Sequence, residues 1–298
     1  MRRLALICVG LFVASSSHAA ELRELPALPP LTDPATGTYI PGKFVWADYF
    51  TSNVDAARIF YAALFGWDWK EISGARDSRY GMFYQDGEPV AGVAYRASPD
   101  TSRDRGRWIY YVSVPDVAAA AKAIAAQGGR TLLAPRSFAD RGTFAVVADP
   151  EGAPFGLLRS ASGDPPDYRA DVGDWLWLAL YTRDAPVAAN FYRSVFDYDV
   201  HTPARQEAAD YLLVKEGYAR AAVAQLSKTS QASPSWLGYL RVGDVAKSVA
   251  TAIHLGATEL FAPSQNVLDG QLAIVIDPLG APVGLLRWTY PDDAGEAH

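Results

Sequence analysis

The chain has 298 residues, half of them apolar, with 27 basic and 33 acidic side chains and a formal net charge of −6. This length suits two domains of ordinary size. The basic residues form no stripe or cluster, so neither nucleic acid nor an anionic membrane surface is an expected partner. Cys8 is the only cysteine, which excludes a disulfide framework.

Residues 1–20 have the pattern of a secretory signal peptide. Arg2 and Arg3 precede an apolar run over residues 4–14, and the small residues at 15–20 supply a cleavage site. The run is too short for a membrane anchor, which needs roughly 20 consecutive apolar residues. We therefore expect export across the inner membrane to the periplasm, with no membrane span. An uncleaved N-terminal anchor is the alternative.

Residues 21–42 are rich in proline and show little periodicity. This composition predicts an extended leader without regular secondary structure. The segment is called the leader below.

The rest of the chain contains two similar halves. A strand-like run at 44–51 leads into a helix that contains Phe60-Tyr61, and a similar run at 175–182 leads into a helix that contains Phe191-Tyr192. Each half also ends with an Asp-Pro-x-Gly turn and a final apolar strand, at 149–159 and 277–287. A period this long indicates a duplicated globular domain and not a solenoid repeat.

Each half contains two strand-helix units. In the first half, a second apolar strand at 108–114 feeds an alanine-rich helix at 117–127, and three short strand candidates follow each helix. The second half repeats this order, with a helix at 245–255. The predicted organisation is a first domain at 43–161, a linker at 162–172 and a second domain at 173–290.

This arrangement resembles the vicinal oxygen chelate superfamily, which includes glyoxalase I, bleomycin-resistance proteins and extradiol dioxygenases. The resemblance rests on the paired βαβββ modules, the Phe-Tyr helix pairs followed by Leu64-Phe65-Gly66 in the first half, and the Asp-Pro-x-Gly turns. It implies an α+β fold in which two modules form one cupped mixed sheet with helices on its outer face. The concave faces of the two sheets are called cup one and cup two, in chain order.

Catalytic members of that superfamily hold a divalent metal with His and Glu side chains in the cup. The residues that match those positions are Trp46, Gly92, Ile109, Gly156, Trp177, Ala222, Leu237 and Gly284. Their side chains cannot coordinate a metal. His201 and His254 are isolated, and Asp48 could at most support weak binding of a hard cation with other carboxylates. We therefore expect no metal and no cofactor.

Strand alternation predicts what lines each cup instead. Alternation predicts that Phe44 and Trp175 face a cup and that Val45 packs under a helix. The full set of expected ligand-binding residues is Trp46, Asp48, Phe50, Tyr111 and Ser113 in cup one, and Trp177, Tyr181, Tyr239 and Arg241 in cup two.

The cups thus combine aromatic surfaces with different polar groups. Asp48 suits an amine or hydroxyl in cup one, and Arg241 suits an anion in cup two. Asp48 beside Trp46 favours cup one as the working site, with an Asp48→Ala change expected to cost little stability.

The sequence leaves three functions open. The first is metal-independent binding of a small aromatic or amphipathic molecule. The second is a glyoxalase- or dioxygenase-type enzyme with a non-standard site, and the third is a structural or interaction module whose cups are filled by their own side chains. Neither the ligand nor the oligomeric state follows from the sequence.

Overall fold

The computed structural model describes residues 27–73, 79–98, 105–203 and 209–290. It contains two eight-stranded mixed sheets, one in each half of the chain. The predicted α+β fold with tandem domains of paired βαβββ modules is confirmed. Among the described residues, no helix combines the length and the apolar character needed to cross a membrane.

The first domain contains, in chain order, β1 (Phe44–Thr51), α1 (Val54–Phe65), β2 (Asp68–Ser73), β3 (Tyr80–Gln85), β4 (Glu88–Tyr95), β5 (Arg107–Ser113), α2 (Val117–Ala126), β6 (Arg130–Phe138), β7 (Gly142–Ala148) and β8 (Pro154–Ser160). The strand order in its sheet is β2-β3-β4-β1-β5-β8-β7-β6. The modules meet where β1 and β5 pair antiparallel, while β1 pairs parallel with β4 and β5 parallel with β8.

The second domain repeats this order with β9 (Trp175–Thr182), α3 (Ala185–Phe196), β10 (Asp199–His201), β11 (Tyr211–Lys215), β12 (Tyr218–Gln225), β13 (Ser235–Arg241), α4 (Val245–His254), β14 (Thr258–Phe261), β15 (Leu272–Ile276) and β16 (Pro282–Leu286). Its strand order is β10-β11-β12-β9-β13-β16-β15-β14, the same topology as in the first domain. A 3-10 turn at Leu268–Gly270 precedes β15.

Each helix begins at a capping side chain, which explains where the helices start. The caps of α1 to α4 are Asn53, Asp116, Asp184 and Asp244, and each accepts a hydrogen bond from a backbone N–H in the first turn. Asp184 thus caps α3 through its side chain. Asp55 lies inside the first turn of α1 and forms an ion pair with Arg79 instead.

The helices lie between the two sheets and the cups face away from each other. One continuous apolar core contains helix residues and strand residues of both domains, while two smaller clusters occupy the two cups. Helix α1 contacts α4, α2 contacts α3, and strand β5 contacts β13. The outer, helix-bearing face of each sheet is thus the interior of the whole molecule.

A buried hydrogen-bond network crosses this interior from the second domain to the first. Asp277, in the Asp-Pro-x-Gly turn before β16, accepts hydrogen bonds at Oδ2 from the hydroxyls of Tyr49 (2.6 Å) and Tyr61 (2.8 Å). Trp108 donates its indole N–H to the oxygen of Tyr61 at 2.8 Å. Burial raises the pKa of the Asp277 carboxyl, and the hydrogen bonds from Tyr49, Ala281 and other groups oppose that rise.

A matching network runs in the opposite direction. Asp149, in the turn before β8, accepts a hydrogen bond from the hydroxyl of Tyr192 at 3.1 Å, and Trp236 donates to the same hydroxyl at 3.0 Å. Only one tyrosine reaches Asp149, whereas two reach Asp277. The Phe-Tyr pairs and the Asp-Pro-x-Gly turns noted in the sequence therefore hold the two domains together.

The first residue of each domain's leading strand departs from the expected alternation. Phe44 packs against Trp236 with ring centroids 4.9 Å apart, and Trp175 packs against Tyr110 at 5.4 Å, so both face the interdomain core and not a cup. Val45, expected under a helix, lies in the cup-one cluster. The reason is a bulge in strand pairing at 44–46 and at 175–177, where each strand contains one extra residue. Residues that precede the bulge therefore face the opposite side of the sheet from the one that regular alternation predicts.

We expect Asp277→Asn to lower the free energy of unfolding by about 1–3 kcal/mol, because the amide nitrogen of asparagine cannot accept the hydrogen bonds that the hydroxyls of Tyr49 and Tyr61 donate. Asp149→Asn should cost less, since it affects one hydroxyl. Asp184→Asn is the control, because asparagine caps a helix as well as aspartate does. Urea unfolding measures all three. A cost for Asp277→Asn no greater than that for Asp184→Asn would contradict the role of the network.

Candidate functional site

Cup one is covered by the leader. Leu28 and Leu31 belong to its apolar cluster, and the side chain of Leu31 is 2% exposed. They pack with residues on the concave face of the sheet, including Trp46, Tyr80 and Tyr111. The described part of the leader has no regular secondary structure, and it is packed into the first domain.

Polar contacts hold the leader in this position. The backbone oxygen of Pro29 accepts a hydrogen bond from Arg141 Nε at 2.8 Å. The backbone N–H groups of Leu31 and Thr32 both donate to Ser162 Oγ, at 3.1 and 3.0 Å. The linker, which follows the first domain, thus anchors the leader, which precedes that domain.

Asp48 lies at the floor of cup one and is already hydrogen-bonded. Its Oδ1 accepts from the indole N–H of Trp46 and from the hydroxyl of Tyr80, each at 2.8 Å. Gly92 makes this possible, because a Cβ there would lie 2.0 Å from the Tyr80 hydroxyl. Burial raises the pKa of the Asp48 carboxyl, and the nearby charge of Arg141 is the main opposing influence.

Arg141 is a cation buried in the same cup, with 2% of its surface exposed. Its guanidinium lies over the ring of Trp46, 4.4 Å from the centroid, and Nη2 approaches the sulfur of Met82 at 3.5 Å. Nη1 has no hydrogen-bond partner. A buried charge is costly unless its donors are satisfied, so this arginine is a feature that a purely structural core would avoid.

A small cavity of about 10 Å³ remains between Asp48 and Arg141 under Leu28. The hydroxyl of Tyr111 also borders it and has no hydrogen-bond partner. The equivalent hydroxyl in cup two, that of Tyr239, pairs with Tyr181 at 2.5 Å. Phe50 stands where cup two has Tyr181, which explains why the Tyr111 hydroxyl is left unpaired.

Cup two has an uncharged floor and a more open surface. Tyr239 is buried, whereas Trp177 and Tyr181 are only partly buried, as are Leu176, Leu212, Phe261 and Leu268 around them. Ala179 replaces Asp48, so the floor carries no charge. No residue of the linker at 162–172 belongs to the cup-two cluster.

A cavity of about 320 Å³ adjoins cup two. Leu268 and Leu286 belong both to the cavity wall and to the cup-two cluster. The other residues that line the cavity are Asp269, Gln271, Arg287, Trp288 and Thr289. The cavity is therefore lined mostly by polar side chains, with charges of both signs, and it meets the apolar cup at Leu268 and Leu286.

Two of the predicted polar groups have other roles. Ser113 is buried and donates a 2.6 Å hydrogen bond to Asp164 Oδ2, so it joins the linker to β5. Arg241 donates to the backbone oxygens of Ala170 (2.8 Å) and Trp288 (3.1 Å). These contacts do not support the expectation that Arg241 orients an anion in cup two, because two of its N–H donors are bonded to the backbone.

The residues present do not suit the metal that the family resemblance implies. Gly156 and Gly284 stand where that resemblance places a carboxylate, and an added Cβ at either would lie 2.1 Å from the ring of Tyr111 or Tyr239. The tyrosine rings thus occupy the space of the missing ligands. Among the described residues, no three His, Cys, Asp or Glu side chains group closely enough to hold a metal ion.

The sequence reasoning missed Arg141, Tyr80 and the two leader leucines. Arg141 is the last residue of the turn before β7, where a charged residue is ordinarily exposed. Leu28 and Leu31 lie among prolines, without periodicity to indicate burial. An apolar residue on either side of Pro29-Pro30 was the only available signal.

The fold and the cups define a class of protein: tandem domains of paired βαβββ modules with a concave ligand-sized face on each sheet. Family models agree with this. Residues 43–157 match the Glyoxalase/Bleomycin resistance protein/Dioxygenase superfamily, and residues 177–286 match the Glyoxalase-like domain. The chain belongs to this superfamily.

Similar proteins of known name fall in two groups. The chain is 29% identical over 273 residues to the anthracycline biosynthesis protein DauV of Streptomyces sp. (strain C5), covering 87% of this chain and 98% of that protein. It is 25% identical over 256 residues to CFP32 of Mycobacterium bovis, whose name assigns it provisionally to the glyoxylases, with 85% and 98% covered.

Solved structures share the fold at low identity. Homoprotocatechuate 2,3-dioxygenase from Brevibacterium fuscum has a TM-score of 0.55 and 12% identity, with 87% of this chain and 86% of that chain covered. Structural similarity at such low identity shows a common fold, and it does not show a common activity.

The contacts of Asp48 reverse the expected effect of removing it. Asp48→Ala should lower the free energy of unfolding by about 2–5 kcal/mol, because it leaves the donors of Trp46 and Tyr80 unpaired and Arg141 without a nearby anion. Asp48→Asn keeps an acceptor for both donors and should cost about 1 kcal/mol. Urea unfolding of the two variants measures the difference. Equal small costs would show that these hydrogen bonds contribute little.

Proposed function

We propose that this protein binds a small aromatic or amphipathic molecule in cup two without the help of a metal ion. The observation that carries the proposal is the cavity of about 320 Å³ beside a partly exposed apolar cup. Ligand sites are typically concave and about 300–1,000 Å³ in volume, with a mostly apolar surface and a few polar groups that set orientation. Here the cup supplies the apolar surface and the cavity supplies the polar groups.

The lining of cup two suits a flat ring system. Trp177 and Tyr181 offer aromatic surfaces that are only partly buried, and stacking against such surfaces favours planar ligands. The paired hydroxyls of Tyr181 and Tyr239 supply a polar group at the floor. Arg287 and Asp269 supply charges of both signs in the cavity wall.

The relatives support the same ligand class. DauV is named for anthracycline biosynthesis, and anthracyclines are flat polycyclic aromatic compounds. The replacement of the family's metal ligands by Trp46, Trp177, Gly156 and Gly284 favours binding that does not depend on a metal. The sequence favoured cup one, where Asp48 lies; the open surface belongs to cup two.

Binding of 1,8-dihydroxyanthraquinone, followed by titration calorimetry, tests this proposal. Leu268→Arg should weaken binding roughly tenfold or more, because a charged side chain at the cavity wall meets the apolar ligand. The matched control is Asp140→Arg, which places the same side chain at the equivalent, exposed position of the first domain. Equal effects of the two changes, or no binding at all, would overturn the assignment to cup two.

Metal analysis separates this proposal from an enzyme of the glyoxalase type. Protein purified without chelators should contain far less than one equivalent of zinc, nickel, iron or manganese per chain. Added metal should leave the affinity for the anthraquinone unchanged. A stoichiometric metal, or binding that requires one, would favour the enzyme.

We also propose that the protein is exported and that the segment before the leader is removed. Arg2, Arg3 and the apolar run at 4–14 support this. Fractionation of the source cells and N-terminal sequencing of the purified protein test it. We expect a periplasmic protein whose first residue lies near Glu21. A cytoplasmic protein that begins at Met1 would contradict export.

A further inference from the structure

Cup one differs from a filled core in the number of polar groups it buries. Asp48 and Arg141 carry opposite charges on two sides of the cavity of about 10 Å³, and Trp46 lies under the guanidinium. Two donors that border this cavity, Arg141 Nη1 and the Tyr111 hydroxyl, have no partner. Buried polar groups are nearly always satisfied, so these two mark the place where a polar group bound in the cup would find partners.

The cover over this site is a segment that can move without breaking a sheet. The described leader forms no strand pairing with either sheet. Over the cup, the leader contacts Arg141 through the Pro29 carbonyl, and Ser162 through the N–H groups of Leu31 and Thr32 and the Thr32 hydroxyl, besides its two leucine side chains. Beyond the cup, residues 36–40 form hydrogen bonds with Ser162 and Asp164, which hold that end of the leader in place. With Leu28 in place the cavity holds about one water molecule, and with Leu28 withdrawn it joins the aromatic surface of the cup.

We propose that cup one is a second ligand site, closed by the leader, that takes a flat aromatic molecule with a neutral hydroxyl group. A hydroxyl placed between Asp48 and Arg141 accepts a hydrogen bond from Nη1 and donates one towards the carboxylate. The Tyr111 hydroxyl lies beside the same position. The ring of the ligand replaces Leu28 and packs near Trp46 and Phe144, which line the cavity.

The two charges select for a neutral group. Each charge attracts the ion that the other repels, so the pair gives a charged ligand no net gain to offset its desolvation, whereas a neutral hydroxyl can accept from Arg141 and donate to Asp48. This site therefore differs from cup two in its access and in its selection against charged groups. It does not depend on ligand binding in cup two.

The experiment uses three probes with one ring system: 2-naphthol, 2-naphthoate and 2-naphthylmethylammonium. All measurements are made in the Leu268→Arg background, so that binding in cup two does not contribute. The double change Leu28→Ala and Leu31→Ala weakens the leader's hold on the cup. Because the apparent dissociation constant is the intrinsic one divided by the open fraction, 2-naphthol should bind roughly tenfold or more tightly to this variant.

Selectivity and position are tested in the same variant. The naphthoate and the ammonium probe should bind roughly tenfold more weakly than 2-naphthol. Tyr111→Phe, which keeps the ring and removes the hydroxyl, should weaken 2-naphthol binding about fivefold, the effect of one neutral hydrogen bond. Binding that is insensitive to probe charge and to Tyr111→Phe would overturn the proposed site.

Ser162→Ala provides a milder opening if the leucine changes prevent folding. It releases the N–H groups of Leu31 and Thr32 and leaves the cup itself unchanged. The affinity for 2-naphthol should again rise. Hydrogen exchange at Leu31 and Thr32 in the Leu268→Arg protein should accelerate when 2-naphthol is added, while Val112 in β5 stays protected. No gain in affinity on weakening the leader, or no change in exchange at saturating 2-naphthol, would show that the leader is a fixed part of the core.

Discussion

The crossed hydrogen bonds between the turn aspartates of each domain and buried tyrosines of the other determine the arrangement of the whole molecule. Asp277 reaches Tyr49 and Tyr61 of the first domain, and Asp149 reaches Tyr192 of the second. These carboxylates are buried, so each needs its donors from the other domain to offset desolvation. The helix-bearing faces are thereby fixed against each other, and both cups are directed outwards.

The same turn serves two purposes. Within its own domain, the Asp277 Oδ1 atom accepts the backbone N–H groups of Leu279 and Ala281 and fixes the turn before β16. Oδ2 is left for the tyrosines of the other domain. A motif that closes each domain thus also joins the pair, which accounts for its presence in both halves of the sequence.

Small differences at equivalent positions give the two cups different chemistry on one scaffold. Asp48 in cup one corresponds to Ala179 in cup two, and Phe50 corresponds to Tyr181. The second exchange leaves the Tyr111 hydroxyl without a partner, while Tyr239 has one. The first places a buried charge under the leader. Fold and site therefore vary independently here: strand order is the same in both domains, but the polar groups and the access to them are not.

The sequence by itself determined the duplicated α+β fold, because apolar periodicity and turn residues are local signals. It also identified Trp46, Asp48, Tyr111, Trp177 and Tyr239 as cup residues, since alternation along a regular strand fixes their side. Alternation failed for Phe44 and Trp175, because an extra residue in strand pairing is not visible in one strand alone. Only the tertiary structure decided that Arg141 enters cup one, that Leu28 and Leu31 cover it and that Arg241 holds the chain. Those contacts join residues far apart in the sequence, where no local pattern links one partner to the other.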